Sequence, residues 1–197
     1  MSGVHVVADG NPRKGAMDED EGEQCIHDIV SWFQRKANLE KNAEKNAGTG
    51  SIIGQRPVNE HRVTLLLHSV DIEALEKTLG MEIPGALRSL LTTQSGGIWF
   101  DEYKSLTADG IINTAETLAS VKGWDSALAP FAANVDGAAL VTDAKSGDAV
   151  FEFSEDGKSD RPLAPTLWEY IEKYRNRLLS GKFDFVEDVG LVERSRK

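Results

Sequence analysis

The sequence predicts an α+β domain in which amphipathic helices cover an antiparallel meander. Two observations predict it. Residues 128–153, LAPFAANVDGAALVTDAKSGDAVFEF, read as three short strands joined by two tight turns. Helical apolar patterns stand both before and after that stretch, so the apolar face of the meander has a cover.

Val135, Asp136 and Gly137 supply the first turn, and residues 145–148 (KSGD) the second. Gly and Asp accept the positive φ that hairpin turns often need. Leu140, Val141, Val150, Phe151 and Phe153 carry the branched or aromatic side chains that suit a pleated, half-buried surface. Pro130 opens the first strand, where it removes no ladder bond if that position is an edge.

Residues 1–21 are rich in Gly, Asp and Glu and have few large apolar groups, so they read as a disordered acidic tail. The acids at 18–21 lack the alternating ligands of a calcium loop and read as solvated. A helix is expected over residues 22–39, with Ile26, Ile29, Val30, Phe33 and Ala37 on one stripe and Trp32 off it, partly exposed. That helix either packs on the core domain or docks a partner chain. Residues 40–56 shift to Asn, Gly, Lys and Ala and read as a linker. The core domain is placed at residues 57–181.

Within it, residues 58–68 fit a buried strand and a helix turn equally. Ser69 or Asp71 caps a helix whose face is Ile72, Leu75 and Leu79, and Gly80 ends it. Pro84 suits the first turn of the next helix, with Ile83, Leu87, Leu90 and Leu91 on one side. IWFDEY, residues 98–103, reads as one strand, which puts Asp101 and Glu102 on opposite faces. Asn113 with Glu116 resembles a capping box that opens a short helix through Leu118 and Val121. Thr166 with Glu169 makes another, for a helix over 167–179 with Leu167, Tyr170, Ile171, Tyr174 and Leu178 on one face. Residues 182–197 form a C-terminal extension that adds one edge strand before a charged end.

Length and composition bound the function. The 197 residues suffice for one core domain plus extensions, and 40% hydrophobic content is enough for a buried core. With 22 basic and 32 acidic residues the formal net charge is −10. Such a chain is repelled by nucleic-acid phosphates and by anionic membranes, which argues against both as partners. Cys25 is the one cysteine, so no internal disulfide forms. With no apolar signal region after Met1 and no run of roughly 18 apolar residues, the expectation is a cytoplasmic protein without a membrane span.

Three pieces of the sequence carry a family resemblance. The first is DIEALEKTLGMEIPGALRSLLTTQSGG, through Leu79, Gly80, Ile83, Pro84, Leu90, Leu91, Gly96 and Gly97. The second is NVDGAALVTDAKSGDAVFEF, through Asp136, Gly137, Asp143, Gly147 and Val150. The third is the helix around Leu167 and Ile171. In order and spacing they resemble the SUKH superfamily, which includes fungal cell-wall-assembly (glucan-synthesis) regulators and many bacterial toxin-immunity proteins. Ile83 stands where that pattern has Leu, and Phe151 or Phe153 where it often has Trp. The resemblance implies a largely antiparallel sheet of about five or six strands flanked by helices, a normal sheet size. It also implies a protein-binding module rather than an enzyme.

The residues themselves offer no catalytic constellation. Cys25 and His27 sit on an expected helix, and buried free cysteines are usually inert. The four histidines and one cysteine include no tight pair with zinc spacing. GTGSIIGQ, residues 48–55, lacks the Gly-Lys-Ser/Thr of a phosphate loop. No metal, cofactor or catalytic residue is therefore expected. What remains is recognition. Trp99, Asp101, Glu102, Tyr103, Trp124 and Asp136 are the candidate binding residues, an acidic and aromatic set suited to a basic protein partner. The opposing reading makes Trp99 and Trp124 plain core. The expected function is a non-enzymatic regulatory or scaffold module. The alternatives are an immunity protein that neutralises a toxin by direct binding and, behind it, a hydrolase built on an unrecognised carboxylate pair.

Overall fold

The computed structural model describes residues 19–47, 72–186 and 190–194. Residues 1–18 of the tail expected over 1–21, the ambiguous stretch 58–68 and the caps Ser69 and Asp71 lie outside them.

The meander forms as the turn chemistry predicts. β3 (Leu128–Ala133), β4 (Ala139–Asp143) and β5 (Ala149–Ser154) pair antiparallel in sequence order. Gly137 takes φ +86° in the first turn, and Gly147 (+67°) and Asp148 (+63°) turn the chain in the second. The register runs from Leu128 opposite Asp143 to Ala133 opposite Ala139, then from Ala139 opposite Phe153 to Asp143 opposite Ala149. β1 (Trp99–Phe100) and β2 (Tyr103–Ser105) precede it, and β6 (Gly157–Lys158) follows. The result is one six-stranded antiparallel sheet in the order β1 to β6. With the helices around it, this is the expected α+β architecture.

Both faces of the meander are apolar, so both are covered. Ala129, Phe131, Leu140 and Val150 join the main core, built with α2 (Ile72–Leu79), α3 (Gly85–Thr93) and α5 (Leu167–Leu179) through Leu75, Leu87, Leu90, Ile171 and Tyr174. On the opposite face Leu128, Val141, Phe151 and Phe153 pack with Leu118 of α4 (Ala108–Leu118) and with Val121 and Trp124. Two buried faces explain why β3 and β4 read as continuous apolar runs rather than alternating ones.

Several expectations are corrected. The N-terminal helix, α1, runs from Glu19 to Ala47, so the last residues of the expected tail and the first eight of the expected linker are helical. Glu, Lys and Ala, six of the eight residues at 40–47, are good helix formers, and only Asn42 and Asn46 weaken the pattern. Trp32 is 7% exposed, not partly exposed. IWFDEY is not one strand but a hairpin, with Asp101 and Glu102 in the turn between β1 and β2. α4 starts at Ala108, where the Thr107 hydroxyl accepts from the Gly110 amide at 3.1 Å, so Asn113 is mid-helix rather than a cap. Pro130 lies in an interior strand, yet β2 pairs only with Ala132 and Ala133, past the proline. Residues after Gly181 form not an edge strand but a separate two-stranded hairpin, β7 (Phe183–Val186) and β8 (Gly190–Glu193).

Of the two roles open to the N-terminal helix, packing on the core is the one observed. Cys25, Ile26, Ile29 and Trp32 belong to the main core, and α1 lies against α5 and α3. Polar links add to this: Asp28 to Arg175 at 3.2 Å, and the Ser89 hydroxyl donating to Glu23 at 3.2 Å. The β7–β8 hairpin covers a second side of α1. Phe185 meets Phe33 edge-to-face at 5.3 Å, and Asp184 is ion-paired to both Lys36 and Arg194. Arg194 first, then Lys36, holds the Asp184 carboxyl well below the usual carboxylate range. Trp32 itself is buried in the main core, which a single apolar stripe does not anticipate.

The fit of α1 depends on Gly22, whose added Cβ would stand 2.4 Å from Cε3 of Trp168. Gly22→Ala is expected to destabilise the protein by about 1–3 kcal/mol by overpacking, against a gain of about 1 kcal/mol in helix propensity. In a denaturant double-mutant cycle, adding Trp168→Leu should remove most of the overpacking. Additive losses would mean that α1 does not seat against α5 at this point.

Candidate functional site

The β1–β2 turn and the β3–β4 turn come together at one end of the sheet. The first is held hard. Asp101 has φ +57°, a conformation uncommon for a non-glycine residue but tolerated by Asp. Its carboxylate accepts a bidentate pair of bonds from Arg177 at 2.8 and 2.9 Å. The Tyr174 hydroxyl donates to the Trp99 carbonyl. The Ile98 amide donates to the buried Ser105 hydroxyl at 2.8 Å. In the second turn the Asn134 side-chain oxygen accepts from the amides of Asp136 (3.1 Å) and Ala138 (2.9 Å). That asparagine turn fixes Val135 at the tip, where it is 97% exposed.

Between the turns lies a shallow groove of about 260 Å³ lined by Trp99, Glu102, Lys104, Leu106, Ala133 and Val135, with Ser105 and Asn134. Its walls are mainly apolar. Lys104 Nζ stands 5.7 Å from the centre of the Trp99 ring. Phe185 packs on the same ring at 6.3 Å, tilted by 51°. On the other face of the sheet Tyr103 is 7% exposed and belongs to the main core. Burial, then a hydrogen bond to Glu152, then the charges of Glu152, Glu102 and Asp136 hold its phenol far above the ordinary tyrosine range. Three carboxylates thus set a negative potential at this end of the sheet. Glu102 and Asp136 are exposed, and neither has an ion-pair partner among the described residues.

The six sequence candidates therefore separate. Trp99 and Glu102 line the groove, Asp136 follows the lining residue Val135 in the β3–β4 turn, and Tyr103 faces the other side of the sheet, in the main core. Asp101 sits beside it but is committed to Arg177 and holds the turn in shape. Trp124 is elsewhere, edge-to-face on Phe153 at 5.1 Å in the second core cluster. Lys104, Leu106, Val135 and Glu152 were not singled out from the sequence. Val135 had a usable signal: a branched apolar residue in a turn of Asn, Asp and Gly.

The other polar cluster is structural. Asp143, 4% exposed, accepts from Lys158 at 2.7 Å, from Ser146 at 3.0 Å and from the Lys145 amide at 3.0 Å. Burial pushes its carboxyl up, and these three donors outweigh that and keep it below the usual range. Lys158 also stands 4.5 Å over the Phe151 ring. Among the described residues there is no group of three or more His, Cys, Asp or Glu side chains that could hold a metal ion. None of their helices is long and apolar enough to cross a membrane.

A family model described as SMI1 / KNR4 family (SUKH-1) matches residues 67–173, more than half of the chain. The chain belongs to the SMI1/KNR4 (SUKH-1) family. No curated protein matches it. The SUKH-1 stretch includes the groove and most of α5, while α1 and the β7–β8 hairpin fall outside it. In this SUKH-1 protein those two additions meet the family domain at Trp99, through Phe185, and along α5.

Proposed function

We propose that this chain is a non-enzymatic protein–protein interaction module, a cytoplasmic regulator or scaffold, and that its partner docks where the β1–β2 and β3–β4 turns meet. The observation that carries this reading is Val135. A fully exposed branched side chain, held at a fixed turn tip beside an apolar groove, is the kind of surface that marks an interaction site. At about 260 Å³ the groove is smaller than the roughly 300–1,000 Å³ of small-molecule sites, and it suits one anchoring side chain. Its residues sit on short strands locked by Arg177, Tyr174 and Ser105, so little ordering remains to be done on binding. A second reading, an immunity protein that neutralises a toxin by direct binding, uses the same face and draws support from the net charge of −10.

A photo-crosslinker placed at Val135 in the full chain, inside its native cells, is expected to capture a defined partner. The same group at exposed Leu163 is expected not to. Adding Trp99→Ala should reduce capture at least fivefold, within the range of a hot-spot aromatic. Equal capture from both positions, undiminished by Trp99→Ala, would remove this face as the docking site. An inhibited toxin among the captured proteins would decide for the second reading.

A further inference from the structure

We infer that the groove between Trp99 and Val135 takes a short basic segment of a partner protein, with one large apolar side chain in the groove and Arg or Lys residues on either side. This rests on the interaction-module reading above and names the class of ligand it requires.

The groove supplies the apolar half of the argument. Trp99, Leu106, Ala133 and Val135 offer carbon surface on its walls and at its mouth, and its volume holds one side chain rather than a folded surface. The rim supplies the charge. Glu102 lines the groove from one turn, and Asp136 follows the lining residue Val135 in the other. Both are exposed and neither is ion-paired among the described residues, unlike Asp101, Asp125, Asp143 and Asp184, which are each engaged by Arg or Lys. Glu152, on the other face of the sheet, adds negative charge at this end of it. Lys104 is the one cation among the groove residues, and it lies over the Trp99 ring. An incoming cation is therefore favoured beside Glu102 and Asp136 rather than over Trp99. That arrangement selects a basic–apolar–basic order in the ligand, and the repulsion between Lys104 and a central Arg or Lys disfavours the reverse order.

The test uses the ¹⁵N-labelled full chain and synthetic peptides as probes. Gly-Arg-Lys-Phe-Arg-Lys-Gly is expected to shift amides of residues 99–106 and 133–136. Replacing its Phe by Ala should weaken binding about tenfold or more, the size of a buried aromatic. Replacing its four cations by Ser should abolish measurable binding. Glu102→Gln and Asp136→Asn should each weaken the basic peptide about two- to fivefold and flatten its salt dependence, as rim charges do. Equal binding of the Ala peptide would overturn the apolar anchor. Equal binding of the Ser peptide would overturn the basic class while leaving the face as a docking site. Shifts located elsewhere, or none with any probe, overturn the inference outright. In that case the docking reading fails too only if the Val135 crosslinker also captures nothing.

Discussion

Phe100→Ala is expected to destabilise the protein by about 3–5 kcal/mol, a large share of the roughly 5–15 kcal/mol that holds a typical domain folded. Phe100 is fully buried in a strand of two residues. Its ring contacts three others: Phe131 at 5.8 Å, Tyr170 at 5.8 Å and Tyr174 at 5.0 Å. Those rings come from β3 and α5, so Phe100 joins the meander, the last family helix and the β1–β2 hairpin at one point. Removing it leaves a cavity whose walls are a strand with a fixed register and a helix tied by other contacts, so collapse is limited. Phe100→Leu should recover a substantial part of the loss. Urea denaturation at constant m-value measures both. A loss below about 1 kcal/mol for the alanine variant would show that the site collapses and that the aromatic cluster is not the joint described here.

What the sequence made legible, and what it hid, follows from how local each cause is. The meander was readable because Gly137 and Gly147 mark its turns and the strands between them are short and branched. The helix over 167–179 was readable because its cap, Thr166, and its stripe are all within one segment; the Thr166 hydroxyl does accept from the Glu169 amide, at 3.1 Å. The β1–β2 hairpin was not, because its turn is held by Arg177, 76 residues away, and not by turn residues. Asp-Glu without a Gly or Pro carries a weak turn signal, although Asp tolerates the positive φ that Asp101 takes. The burial of Trp32 is hidden too, because it comes from packing in the main core and not from the pattern of its own helix. Of the candidate site, the acids and Trp99 were legible by type, but Trp124 was grouped with them on sequence proximity alone. It shares a sheet face with Lys104 and Ala133 but packs on Phe153 in the second core cluster, away from the groove.

The C-terminal hairpin gives the most selective test of how the additions support the site. Gly190→Ala is expected to release β7–β8 from the domain while leaving the domain folded. Gly190 has φ +94°, and an added Cβ would stand 2.4 Å from the Asp101 carbonyl oxygen and 3.1 Å from the Trp99 ring. The backbone conformation alone costs a non-glycine residue about 1–3 kcal/mol, and the oxygen belongs to a turn that Arg177 holds in place and cannot easily move. An isolated two-stranded hairpin is marginal at best, so this strain competes with little: Phe185 on Phe33 and Trp99, the Asp184 ion pairs, and the Leu191 amide donating to Asp101 at 3.4 Å. Amide exchange in 183–186 and 190–194 should accelerate at least tenfold, and the Trp99 indole signal should move, while amides of β3 to β5 keep their protection. Because Phe185 backs the Trp99 ring, the same variant should weaken the basic peptide severalfold without touching Glu102 or Asp136. If the hairpin amides stay protected, the hairpin does not close against the Asp101 carbonyl. If they exchange and peptide affinity is unchanged, Trp99 needs no support from outside the family domain.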